Sequence, residues 1–170
     1  YQVDLFDCTP YLTSYNPQEL PNPAVLTEKL MANKPFPREF WDDVKTDLFG
    51  DFSKRLDEFK PHAVVFSTVV QDTWPQARDM LKVISEQYPH IKTLIGGVYS
   101  TMVPHKVIAD PHTQVVGYGE GEDTVIDFCE AVRNRVSTTN IPGTWAREGD
   151  GQIIYNRPRP LIDLDTSHIP

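Results

Sequence analysis

Three short clusters of glycine and hydroxyl residues are the parts of the sequence best suited to hold a ligand. They span residues 67–73, 96–101 and 118–122, and each follows an apolar run that predicts a β-strand. Small hydroxyl side chains offer hydrogen bonds without filling space, and the pair Gly96-Gly97 lets a bulky ligand approach the main chain. Ligands of open α/β sheets bind beyond the carboxyl ends of the strands. The three clusters therefore predict one binding edge.

Other chemistry has weaker support. Glu120 and Glu122 would repel a phosphate at the third cluster, and no full GxGxxG motif follows the glycines. Asp72 and Glu120 are candidate general bases, but no histidine or second acid is spaced to pair with either. The five histidines are scattered, with no Ser-His-Asp or HExxH pattern, so we expect no metal site. The sequence shows no self-contained active site.

The two cysteines set a further limit. Cys8 and Cys129 are too far apart in sequence to form a CxxC pair and too few to make a disulfide framework. An iron–sulfur cluster normally needs three or four thiolates. Any such cluster must come from outside this chain.

Alternation of helix and strand signals from residue 45 onward predicts an α/β domain with a mainly parallel sheet flanked by helices. The apolar spacing predicts helices over residues 45–59, 74–88, 104–109 and 122–135, with Thr73 as N-cap of the second. Strands are predicted over residues 3–6, 62–67, 92–95 and 114–117. Residues 144–147 and 152–155 flank a glycine turn and predict a C-terminal β-hairpin.

Proline content divides the chain. Of the 15 prolines, six lie in the first 40 residues, and we interpret residues 9–40 as a long irregular excursion. A contact arm or lid and an exposed insertion both remain open for it. We expect residues 1–140 to form the α/β domain and residues 141–170 to form the hairpin and an extended linker.

The charge balance limits the partners. The formal net charge is −8, which argues against nonspecific binding to nucleic acid or to anionic membranes. No apolar run approaches the roughly 18 residues that cross a bilayer, and the first residues lack a signal-peptide pattern. We expect no nucleic-acid partner, no membrane association and a cytoplasmic location.

Taken in order, the motifs resemble the cobalamin (vitamin B12)-binding domain of B12-dependent radical SAM proteins. The resemblance covers about residues 45–170 and the opening residues 3–7. It is carried by Phe59-Lys60-Pro61, by residues 96–104 and by Gly119-Glu120-Gly121-Glu122. Ile141-Pro142-Gly143 then introduces the hairpin, and residues 156–165 lead toward the position of a catalytic domain.

The resemblance implies a flavodoxin-like (Rossmann-like) fold with a corrinoid on the predicted edge. Its nucleotide tail would thread between strands near Ser67 and Gly96-Gly97, and a bulky residue at Gly97 is expected to block that tail. The residues expected to bind the cofactor are Ser67, Thr68, Val69, Asp72, Gly96, Gly97, Val98, Tyr99, Thr101, Gly119, Glu120 and Gly121.

The resemblance also bears on the cobalt ligand. The wider superfamily uses a DxHxxG histidine, and Asp110-Pro111-His112 is the one DxH here. We reject His112 as the ligand because Val115 stands in place of the glycine and the motif follows the first two clusters. Base-off cobalamin without a protein histidine is the expected state.

Two family features are not found in this chain. The CxxxCxxC motif is missing, so the 4Fe-4S cluster and S-adenosylmethionine are expected in a separate radical SAM barrel. A first βα unit that the family usually carries before the segment matching residues 1–7 is also expected to be missing. We therefore do not expect this chain to be catalytic alone.

Three functional hypotheses follow. The leading one is a cofactor-binding domain of a B12-dependent radical SAM enzyme whose full-length form performs methyl transfer or a radical rearrangement. The second is a noncatalytic flavodoxin-like scaffold that docks a partner. Binding of a flavin or nucleotide is the third and is disfavoured by the acidic residues of the third cluster.

Overall fold

The computed structural model describes residues 1–8, 47–69 and 71–161, except for the side chain of Asp72. The chain divides into two compact units, Tyr1–Lys60 and Pro61–Pro170. The excursion predicted at residues 9–40 and the last part of the linker, residues 162–170, lie outside the described residues. Both therefore stay predictions.

The first unit contains helix α1, Leu48–Phe59. Its N-cap is Asp47, whose carboxylate accepts a hydrogen bond of 2.9 Å from the Gly50 amide. The helix buries Leu48, Phe52 and Leu56, which recur every fourth residue and share one face. The predicted helix is confirmed over these residues.

The segment before the excursion lies beside α1 but is not a strand. Asp4 accepts a hydrogen bond of 2.7 Å from Arg55, whose guanidinium holds the pKa of that carboxyl below its ordinary value. The Phe6 ring lies 5.3 Å from the Phe52 ring, centroid to centroid. The strand predicted at residues 3–6 is wrong, because no described strand lies alongside it to complete a hydrogen-bonded ladder.

The second unit is built on one five-stranded sheet. In chain order the strands are β1 (Ala63–Ser67), β2 (Lys92–Gly96), β3 (Val115–Gly117), β4 (Thr144–Arg147) and β5 (Ile153–Tyr155). Spatial order follows chain order; β1, β2 and β3 are parallel, and β4 and β5 are antiparallel additions. The predicted α/β class, the parallel strands and the hairpin are confirmed. The sequence did not predict that the hairpin would extend the same sheet.

Four helices accompany these strands: α2 (Trp74–Gln87), α3 (Val98–Met102), α4 (Pro104–Ala109) and α5 (Glu122–Arg133). Helix α3 is not among the helices predicted from the sequence; it directly follows Gly97, whose φ of 98° favours glycine. Thr73 occupies the N-cap of α2 but makes no side-chain capping bond, since a 3-10 turn, Gln71–Thr73, precedes it. None of the described helices is both long and apolar enough to span a bilayer.

Helix α5 covers one face of the sheet. Phe128 is fully buried there against Leu94 of β2 and Val115 of β3. Ile95 and Val116, the next residues along each strand, are equally buried and point to the opposite face. The strands are therefore covered on both sides, which explains their nearly continuous apolar sequence.

Truncating this core should cost stability. We expect Phe128→Ala to lower the free energy of unfolding by about 3–5 kcal/mol, because it removes buried apolar surface and leaves a cavity. Ile126→Ala on the same helix is the matched control, since Ile126 is 58% exposed and should change stability by about 0.5 kcal/mol or less. Urea unfolding of both variants measures the difference, and equal losses would contradict this packing.

Candidate binding site at the carboxyl edge of the sheet

The carboxyl ends of the parallel strands open into a small cavity. Ser67 and Gly96 are directly paired at the ends of β1 and β2. The cavity measures about 190 Å³. It is lined by Val65, Phe66, Ser67, Leu94, Gly96, Gly97, Gly117, Tyr118, Gly119, Glu120, Gly121, Thr124 and Val125. The first, second and third clusters of the sequence therefore meet at one edge.

Gly97 and Thr68 join the first two clusters through their main chains. The Thr68 amide donates to the Gly96 carbonyl at 2.9 Å, and the Tyr99 amide donates to the Thr68 carbonyl at 3.1 Å. A Cβ atom on Gly97 would stand 2.4 Å from that Thr68 carbonyl oxygen. A side chain at position 97 would thus strike the protein itself, so the steric block expected at Gly97 would act on the loops rather than on a ligand alone.

Buried hydroxyl groups complete this junction. Thr68 and Ser100 are 1% and 0% exposed. The Thr68 hydroxyl donates to the Gly96 carbonyl at 3.0 Å and lies 3.2 Å from the Ser100 hydroxyl. These hydroxyls satisfy each other and the main chain, so the Thr68 side chain supports the site from within.

Thr101 connects the second cluster to the third. Its hydroxyl donates to the Gly97 carbonyl at 3.1 Å and accepts from the Gly119 amide at 3.0 Å. One side chain thereby sets the separation of the two glycine loops. Thr101 was expected to contact the cofactor, and that contact stays a prediction; the observed bonds of its hydroxyl are to the two glycine loops.

The glycines give the cavity an open wall. Cβ atoms built at Gly96 and Gly121 meet no atom within 4 Å. Gly119 also has open space beside it, and its φ of 78° favours glycine. The wall is a cradle that side chains at these positions would fill. It suits a flat or bulky group that must approach the main chain closely.

The remaining residues expected to bind the cofactor differ in whether they line the cavity. Ser67 and Glu120 line the cavity together with the glycines. Val69 and Val98 lie at the same edge, are 62% and 60% exposed, and are not in the cavity lining. Tyr99 packs its ring 6.3 Å from that of Trp74. Asp72 belongs to the 3-10 turn before α2, and its side chain is not among the described parts of the structure.

Several residues of the cavity lining were not among those expected to bind the cofactor. Thr124 lies one helical turn before Phe128 on the buried side of α5, so the apolar periodicity could have placed it at the sheet. Tyr118 belongs to the third cluster, and its hydroxyl donates to the Asn156 carbonyl at 2.7 Å. Burial raises the pKa of the Tyr118 hydroxyl above its ordinary value. No local signal pointed to Asn156, because it is 38 residues away.

The histidine considered as a cobalt ligand lies at the opposite edge. His112 precedes β3, whereas the cavity follows the carboxyl ends of the strands. Its Nδ1 is 2.7 Å from the Ser85 hydroxyl of α2. Within residues 1–8, 47–69 and 71–161, no group of three or more His, Cys, Asp or Glu side chains is arranged to hold a metal ion.

Comparison with known proteins identifies the family. The model of the B12 binding domain matches residues 42–128, about half of the chain. The chain belongs to the B12-binding domain family. The match includes all three clusters, so it covers the glycine-lined edge of the sheet.

Two curated relatives are methyl-transferring proteins by name. Cytidylyl-2-hydroxyethylphosphonate methyltransferase of Streptomyces wedmorensis is 30% identical over 112 residues, covering 66% of this chain and 21% of the relative. Hopanoid C-3 methylase of Methylococcus capsulatus is 25% identical over 130 residues, covering 75% and 24%. The chain thus spans less than a quarter of either relative.

Solved structures of similar fold include two radical enzymes. The radical S-adenosylmethionine methyltransferase TsrM from Kitasatospora setae, with cobalamin and a [4Fe-4S] cluster bound, aligns with a TM-score of 0.53 at 17% identity, covering 74% of this chain and 24% of TsrM. The cobalamin-dependent S-adenosylmethionine radical enzyme OxsB, with aqua-cobalamin and S-adenosylmethionine bound, aligns at 0.55 and 15% identity, covering 72% and 18%. These alignments support the flavodoxin-like fold of the B12-binding domain.

Substitution by alanine should change the free energy of unfolding much more at Gly97 than at the neighbouring Gly96. Gly97→Ala should lower the free energy of unfolding by on the order of 2 kcal/mol or more, because it forces a positive φ and a collision with Thr68. Gly96→Ala should change it by less than about 1 kcal/mol, since its Cβ enters open space. Urea unfolding of the pair is the measurement, and equal stabilities would contradict the close approach.

Loss of the Thr101 hydroxyl should loosen the third loop. In Thr101→Val, which keeps the shape of the side chain, we expect the Gly119 amide to exchange with solvent about five- to tenfold faster, because one hydrogen bond of roughly 1 kcal/mol is lost. Thr101→Ser retains the hydroxyl and should exchange like the wild type. Amide exchange followed by NMR tests the bridge, which is disproved if both variants match the wild type.

Proposed function

We propose that the chain binds cobalamin at the glycine-lined carboxyl edge of its sheet. The observation that carries the proposal is the open space beside Gly96 and Gly121 in the cavity wall of a B12-binding domain. A corrinoid is large and rigid, and it needs close access to the main chain. Side chains at these two positions would remove that access.

The cavity is much smaller than a whole corrinoid, so only part of the cofactor would enter it. We infer that the aromatic base of the nucleotide tail occupies the cavity between the ends of β1 and β2, near Ser67 and Gly96. The apolar side chains of Leu94 and Val125 would pack against it there. The corrin ring would then lie outside, over the exposed Val69 and Val98.

This arrangement divides the expected residues by role. Ser67, Gly96 and Gly97 would contact the tail, with Gly119, Glu120 and Gly121 at the rim of the site. Thr68 and Thr101 would position those residues. A base held in the cavity cannot coordinate cobalt, so the base-off state is part of this proposal. Cobalamin, when bound, supplies a cobalt centre that can carry and transfer an alkyl group.

The whole protein's activity is a wider proposal. We infer a B12-dependent radical SAM enzyme in which a 4Fe-4S cluster and S-adenosylmethionine belong to a catalytic barrel outside this chain. Support comes from the relatives, two of which carry methyl transfer in their names, while this chain covers only 21% and 24% of them. We infer methyl transfer or a radical rearrangement as the reaction of the full-length protein.

Cobalamin binding can be tested with one glycine and a matched control. We expect the purified protein to retain hydroxocobalamin through gel filtration with a base-off visible spectrum. Gly96→Leu should weaken binding at least about tenfold, equivalent to 1.4 kcal/mol or more, because its side chain fills the cavity. Gly149→Leu is the control, since Gly149 has equally open space but lies in the hairpin turn between β4 and β5.

The outcomes separate the hypotheses. A folded protein that stays colourless would overturn the proposal and favour a cofactor-free scaffold, and a yellow protein would point to a flavin. Retained cobalamin with equal affinity in Gly96→Leu would keep the function but move the tail away from this cavity.

A further inference from the structure

Arg159 lies on the segment that follows β5, yet it contacts the beginning of helix α5. Its Nε donates to the Thr124 hydroxyl at 3.0 Å and to the Pro142 carbonyl at 3.1 Å. One of its terminal nitrogens pairs with the Asp127 carboxylate and lies 3.5 Å from the Asp123 carbonyl. The Arg159 side chain is 19% exposed despite its charge. Such a side chain is held in one position by several partners at once.

One of these partners is also part of the cavity wall. Thr124 lines it and is 1% exposed, so its hydroxyl faces Arg159 while other atoms of the residue form the wall. Arg159 itself is not part of the lining. It therefore acts on the cavity through Thr124 and the first turns of α5.

The same segment is tied to the third cluster by its main chain. The Tyr118 hydroxyl donates to the Asn156 carbonyl at 2.7 Å, and the Gly143 amide donates to the Arg157 carbonyl at 2.8 Å. The Tyr118 amide in turn donates to the Gly143 carbonyl at 2.9 Å. Residues 156–159 thus contact both the glycine loop and the helix that follows it.

We propose that Arg159 is a positioning residue that couples the cofactor cavity to the segment leaving the hairpin. The inference rests on the proposed function, because the ligand whose binding it would couple is cobalamin. Binding that orders Tyr118–Thr124 also favours the docked position of residues 156–159. Linkage then requires reciprocity: the factor by which cobalamin favours docking of residues 156–159 is the factor by which their docking raises cobalamin affinity. Any domain that follows the segment could influence the site by this route.

The coupling predicts two effects of Arg159→Gln. Without cofactor, the amides of residues 122–127 should exchange faster than in the wild type, because the guanidinium contacts are lost. With hydroxocobalamin, affinity should fall about five- to tenfold. Added cobalamin should also protect the amides at positions 156, 157, 159 and 161 in the wild type and leave them unprotected in the variant; Pro158 and Pro160 carry no amide hydrogen. Hydrogen exchange and spectroscopic titration measure these effects, with Arg133→Ala at the far end of α5 as the matched control.

A second variant keeps the proposal testable if Arg159→Gln does not fold. Asp127→Asn removes the ion pair at a carboxylate that is half exposed, and it leaves the bonds of Arg159 to Thr124 and Pro142 in place. We expect a smaller loss of affinity and partial loss of the protection of residues 156–161. Wild-type affinity and wild-type protection in both folded variants would overturn the coupling. A wild-type protein that fails to bind cobalamin would instead refute the proposed function, whatever the exchange of residues 122–127 shows.

Discussion

The close approach of Gly97 to Thr68 is the contact on which the rest of the site depends. With no side chain at position 97, the two main chains come near enough for the Tyr99 amide to reach the Thr68 carbonyl. Helix α3 begins at Val98, directly after Gly97, and one turn later Thr101 reaches the Gly119 amide. The spacing of all three clusters therefore derives from one position where only glycine fits.

Polar groups at this edge are satisfied mainly by the protein itself. The Thr68 and Ser100 hydroxyls are buried against the Gly96 carbonyl, and leaving either unpaired would cost more than an exposed polar group. What remains open to a ligand is largely glycine main chain and apolar surface. Such a surface favours close contact with a flat or bulky group.

The sequence predicted the local features of the fold well because they rest on local signals. Apolar runs and their spacing indicated β1, β2, β3 and the hairpin, and the order of the glycine clusters indicated the binding edge. The errors have physical reasons. Residues 3–6 alternate as a strand does but lack a described partner. The short helix α3 was not predicted, because five residues are too few for a helical apolar pattern. The roles of Thr68 and Thr101 depend on contacts across loops, which no local pattern encodes.

Residues beyond the family match support the third glycine loop. The match ends at residue 128, before β4, yet the loop that carries Gly119 is held by Gly143 and Asn156. These residues reach the site because the hairpin joins the sheet beside β3 and returns the chain to the start of α5. The same set of hydrogen bonds thus supports the glycine loop and holds residues 156–159 against the beginning of α5. A domain cut at the end of the match would lose the hydrogen bonds of Tyr118 to Gly143 and Asn156.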